Sequence, residues 1–123
     1  MKPDSASWPG TAEALNSPSQ PVDLAHLSRY TLGERALERE VLELFSTQSL
    51  VYLERLRGAP TDKDWHEAAH SLKGSAVAIG AWRVANAAER AESAIATSWQ
   101  ASIEEIESSL REARGFIDAF LAR

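Results

Sequence analysis

The sequence predicts an all-α domain: an antiparallel up-down four-helix bundle with a short extra helix at its N-terminal side. Three observations predict it. Beyond residue 21, apolar residues recur at spacings of three and four along nearly the whole chain. Strand signals are missing, with no alternating β-branched runs and no Asn-Gly or Asp-Gly hairpin turns. A single proline, Pro60, follows Pro21. Four long amphipathic segments with short connections close most economically as such a bundle.

The elements follow in order. Pro3, Pro9, Pro18 and Pro21 lie among Ser, Asn and Gly, so residues 1–21 read as a disordered leader in which Trp8 and the Ala12–Leu15 stretch could touch the domain or a partner. The bundle domain is expected over 22–123. Asp23 can cap a short helix that carries Leu24 and Leu27 up to Gly33. A long helix is predicted from about Glu34 to Leu56, with Leu37, Val41, Leu44, Phe45, Tyr52 and Leu56 as its core stripe, and Gly58-Ala59-Pro60 ends it. Thr61 caps the next, with Asp62 and Asp64 in the favourable first turn and Gly80 closing it. Trp82, Ala85, Ala88 or Ala91, and Ile95 predict a third long helix fading near Thr97. Ile103, Ile106, Leu110, Ala113, Ile117 and Phe120 give the last helix the most regular pattern in the chain.

The chain has 123 residues, 13 Lys+Arg and 18 Asp+Glu, for a net charge of −5. That length suits one domain and excludes a large enzyme. No basic cluster of the kind that phosphate backbones require is present, so nucleic acid is not an expected partner. No apolar run of about 18 to 20 residues and no secretory signal occur, so a cytoplasmic protein without a membrane span is expected. With no cysteine, thiolate metal sites and disulfides are excluded, and a metal would need histidine and carboxylate ligands.

The helix from Thr61 to Ile79 carries the chemistry. On a wheel of ~100° per residue, Ala68, Ala69, Leu72, Ala76 and Ile79 fall within about 60° of Trp65 and form its core stripe. His70 lies about 140° away and Gly74 opposite, so both should face solvent. A glycine inside an exposed helix costs ~1 kcal/mol relative to alanine, so Gly74 needs a reason other than helix formation. Four residues from His70, it leaves the imidazole accessible to another molecule, while Lys73 can bring an ammonium beside it. An exposed imidazole, a cation and cleared space suit a nucleophile receiving an anionic group such as phosphoryl.

The run Ala69-His70-Ser71-Leu72-Lys73-Gly74-Ser75, followed by Ile79-Gly80-Ala81, resembles the histidine-containing phosphotransfer (HPt) domain family, whose hallmark is HxLKG with a further glycine six residues on. Val22-Asp23-Leu24, Leu37 through Leu44-Phe45, and Ala85, Ala88 and Glu89 also resemble its pattern, so the likeness spans about 22 to 122. The resemblance implies a phosphorelay protein in which His70 takes phosphoryl from the phospho-aspartate of one receiver domain and passes it to another. It implies Lys73 as electrostatic stabiliser and Gly74 as the access residue, with Gly80 structural. Receivers of response regulators or hybrid histidine kinases are the implied partners, and they supply the Mg²⁺, so no cofactor of the chain's own is expected. A monomer without ATP-dependent kinase activity is expected, since no Gly-rich nucleotide loop occurs. The alternative is a module of the same fold that docks on receivers or kinases without being phosphorylated.

His66-Glu67-Ala68-Ala69-His70 also spells HExxH, the zinc-protease helix. The extended metalloprotease pattern would put Gly at Lys73 and His at Ala76, an ammonium beside zinc is unfavourable, and no strand is present to bind peptide. A metal centre is therefore not expected, even with Glu89 or Glu92 imagined as third ligand. His66 reads as a solvated first-turn residue or a neighbour that tunes His70. Glu67 could hydrogen-bond the second ring nitrogen of His70 or be an ordinary surface charge. His26 reads as a packing or capping residue. The expected partner-facing set is Glu67, Ser75, Val77 and Leu50. Leu42 and Leu53, with Ser46 and Ser49 between them, either extend that patch or join a wide core.

Overall fold

A computed structural model describes residues 20–123. The expected leader, apart from its last two residues, lies outside them. Helix α1 (Leu24–Thr31) starts where Asp23 accepts the backbone N–H of His26 at 3.1 Å, and it ends in two successive left-handed residues, Leu32 and Gly33. Helix α2 spans Arg35–Arg57 and stops before Pro60. Helix α3 spans Asp62–Ile79, with the Thr61 hydroxyl accepting the Asp64 N–H at 3.1 Å and Gly80 in the left-handed conformation at φ +79°. Helix α4 (Trp82–Glu92) and a 3₁₀ turn at Ala96–Ser98 lead into helix α5 (Trp99–Leu121). Each long helix packs on two others, α3 on α2 and α4, and α5 on α4 and α2, which closes the bundle. Helix α1 lies against α2 and α3, as an extra helix should.

The α3 stripe of Trp65, Ala68, Ala69, Leu72, Ala76 and Ile79 is buried as its spacing predicts. So are Ile103, Ile106, Leu110, Ala113 and Ile117 of α5. The α2 stripe is turned from its predicted position. Leu42, Phe45, Ser49, Leu53 and Leu56 are buried at spacings of three and four, while Leu37 is exposed and Leu44 is 59% exposed. Burying Ser49 costs little because its hydroxyl donates to the Ser46 carbonyl at 3.2 Å within the helix, so a polar residue sits mid-stripe and masks the true face. Leu42, Leu53 and Ser49 thus belong to the core and cannot dock a partner.

Helix α4 ends five residues earlier than predicted, and Ile95 is exposed rather than packed. The cause is tertiary. The Trp65 indole donates to the Ala91 carbonyl at 2.7 Å, and His66 Nδ1 lies 3.2 Å from the Glu92 carbonyl. Side chains of α3 therefore satisfy carbonyls that would otherwise be orphaned at the α4 C-terminus. Trp99 then stacks on Trp65 with ring centroids 4.4 Å apart and planes within 4°, so the next helix starts there.

Gly80 holds the α1 end of the bundle together. Its carbonyl accepts the Asp23 N–H at 2.9 Å, and a Cβ at this glycine would stand 2.8 Å from the Asp23 Cβ. His26 sits alongside as packing, with Nε2 2.9 Å from the Val77 carbonyl and its ring edge-on to Trp82.

Candidate functional site

Helix α3 carries His66, His70, Lys73 and Gly74 on its outer side, and Glu92 at the end of α4 meets the first three. The His70 side chain is 68% exposed, as its wheel position predicts. Its Nδ1 lies 2.5 Å from Oε2 of Glu92, a carboxylate that is only 13% exposed. The other oxygen of Glu92 lies 3.4 Å from Lys73 Nζ. Burial works to raise the Glu92 pKa, but the His70 hydrogen bond and the charge and hydrogen bond of Lys73 outweigh it and hold the carboxyl below its ordinary range. An ionised carboxylate can only accept, so Nδ1 carries the proton. The lone pair of the neutral ring is then on Nε2, the nitrogen left for a reacting molecule.

Gly74 is exposed, and a Cβ built there meets nothing within 4 Å. The chain's own packing does not require this glycine, so the cleared space beside His70 is available to something outside it. Glu67, considered from the sequence as the residue orienting His70, is instead within 4.0 Å of Lys63 on the exposed face. It lies three positions before His70 on the same helix, while Glu92 reaches the ring from across the α3–α4 hairpin. The sequence signal for Glu92 was positional: His70 lies ten residues before Gly80 and Glu92 eleven after Ala81, so an antiparallel hairpin turning there brings them level.

The remaining partner-facing residues do not form one patch. Ser75 lines a cleft of about 360 Å³ with Tyr30, Leu44, Gln48 and Tyr52. Val77 is half-buried against the core. Leu50, although 40% exposed, lies on the opposite flank of α2. Its helical neighbours there, Ser46 and Arg57, bond to Arg114 and Glu107 of α5. That placement separates Leu50 from Ser75, and Leu44 and Tyr30 take its place beside the cleft.

A helical bundle with an outward imidazole oriented from behind by a carboxylate and flanked by an ammonium defines a histidine-presenting domain. The family model for the Hpt domain matches residues 40–119. The crystal structure of the histidine phosphotransferase ShpA from Caulobacter crescentus is similar, at 32% identity and a TM-score of 0.66, over 83% of this chain and 91% of that one. No curated protein matches the sequence significantly. The chain belongs to the Hpt domain family. Among the described residues, no helix is long and apolar enough to cross a membrane.

Proposed function

We propose that this Hpt-domain protein carries phosphoryl groups between receiver domains through Nε2 of His70. The observation that supports this most directly is the 2.5 Å contact between His70 Nδ1 and Glu92, which leaves Nε2 as the outward nucleophile. In the forward step the Nε2 lone pair attacks phosphorus of a receiver phospho-aspartate. The N–P bond forms as the acyl phosphate P–O bond breaks, and the aspartate leaves as carboxylate. The ring gains positive charge, which the Glu92 carboxylate offsets as a buried aspartate does for a catalytic imidazolium. Transfer onward to a second receiver reverses these changes.

Lys73 stabilises charge on the phosphoryl oxygens, swinging from Glu92 on its flexible stem. Gly74 lets the receiver's pocket close over the ring. The receiver supplies the Mg²⁺, and no residue of this chain is assigned to it. The cleft beside Ser75, with Leu44 and Tyr30 exposed at 59% and 56%, offers the apolar contact area on which a receiver docks.

Incubation with a phosphorylated receiver and Mg²⁺ tests the assignment. An acid-labile, base-stable label should appear on the wild type and be absent from His70→Gln. Stable binding without any label would instead favour a docking module that is not phosphorylated.

A further inference from the structure

His66 is not used by the phosphoryl chemistry, yet its geometry mirrors that of His70. The two rings lie nearly parallel, 10° apart in plane, with centroids separated by 6.2 Å. Each turns Nδ1 toward Glu92: His70 to the side-chain carboxylate at 2.5 Å, His66 to the backbone carbonyl at 3.2 Å. Both contacts call for a proton on Nδ1, so both rings present Nε2 outward with its lone pair free. A metal-binding histidine is usually prepared in this way, its second nitrogen donating to a carboxylate or a carbonyl.

We propose that His66 and His70 together form a two-ligand site for a divalent transition-metal ion of the zinc or nickel type, and that such an ion blocks phosphoryl acceptance by occupying Nε2 of His70. Residues four apart on a helix are neighbours, so one ion can reach both rings. Zn–N bonds of about 2.0 to 2.1 Å in tetrahedral geometry need the two nitrogens roughly 3.3 Å apart. With their centroids 6.2 Å apart the parallel rings must lean together to reach one ion, and both residues are exposed enough to do so. Imidazole suits these ions, whereas Mg²⁺ prefers oxygen. The Lys73 ammonium, which would repel a cation, is offset by its contact with Glu92.

Among the described residues, no group of three or more His, Asp or Glu converges on a metal position. Within the described residues the site has two protein ligands, with water completing the coordination, which makes it exchangeable. The HExxH spacing is present for chelation without its protease chemistry. Only the competition rests on His70 as phosphoryl acceptor; the binding does not.

The test titrates the untagged full chain with Zn²⁺ or Ni²⁺ alone, followed by calorimetry and by the histidine ring signals in NMR. One ion per chain should bind, shifting the signals of His66 and His70 but not those of His26. His66→Gln should weaken binding by about tenfold or more, and Mg²⁺ should shift neither ring. Affinity unchanged in His66→Gln, or unmoved ring signals, overturns the site. A second arm measures phosphorylation from a receiver: Zn²⁺ should suppress the label on the wild type and spare it on His66→Gln. Equal suppression of both overturns the competition. Absence of label without metal overturns the proposed function, while the calorimetry still decides the metal site.

Discussion

The indole N–H of Trp82 donates to Oδ2 of Asp23 at 3.0 Å, tying the start of α1 to the start of α4 across 59 residues of sequence. Burial works to raise the Asp23 pKa, but the bonds from Trp82 and the His26 N–H, with the charges of His26 and Arg29, carry it below its ordinary 3.8. A carboxyl depressed on folding contributes stability above its unfolded pKa and loses it as pH falls through the folded value. Glu92, depressed below its ordinary 4.5, acts in the same direction. Stability should therefore fall as pH drops below about 4.5, and Asp23→Asn should flatten that fall while lowering stability at neutral pH. Denaturant midpoints measured from pH 3 to 7 check both.

Glu92→Ala should slow phosphoryl transfer to His70 and Glu92→Gln should slow it less. Glutamine can still accept from Nδ1 and keep the ring oriented, but it removes the charge that offsets the phosphorylated ring. A charge-assisted hydrogen bond is worth about 1.5 to 3 kcal/mol, and the exposed ring reduces that to about 1, or roughly fivefold in rate for the alanine variant. Stopped-flow transfer from a phosphorylated receiver measures it. Equal slowing in Ala and Gln would remove the orienting bond from the explanation and leave the charge, whereas a Gln variant as fast as the wild type would remove the charge.

Gly74→Ala should stabilise the free domain by about 1 kcal/mol, since the added methyl enters open space and the helix gains propensity. It should nevertheless slow transfer from a receiver. Thermal unfolding and transfer kinetics on one preparation would show stability and activity moving in opposite directions.

Gly80→Ala should do the reverse of Gly74→Ala in the stability assay. At φ +79° an alanine is strained by roughly 1 to 2 kcal/mol, and its Cβ would also stand 2.8 Å from that of Asp23. A loss of about 2 kcal/mol or more is expected from the two effects together, read as a lower denaturant midpoint.

Leu32 occupies the left-handed region at φ 56° with its side chain 89% exposed. Leu32→Gly removes the strain and forfeits little burial, so stability should rise by about 1 kcal/mol. Unchanged or lower stability would show that the apolar side chain contributes more than its exposure indicates.

These residues also show what the sequence could and could not convey. His70, Lys73 and Gly74 are legible because their relation is local, set by the turn of one helix. The caps at Asp23, Thr61 and Gly80 are legible for the same reason. Glu92 is legible only indirectly, by its position across the Gly80 turn, because its contact exists only once α4 folds back on α3. The early end of α4 was hidden likewise, since Trp65 and His66, 26 residues away, complete its last turn. The rotated face of α2 was obscured by a self-satisfied serine in the middle of its buried stripe.

The stacked pair Trp65 and Trp99 sits beneath this machinery, and Trp65 is bonded to the residue just before Glu92. Trp65 is buried, and from beneath it holds the helix end that carries the carboxylate behind His70. Glu92 thus stands on an abutment of stacked aromatic rings and not on a free helix end.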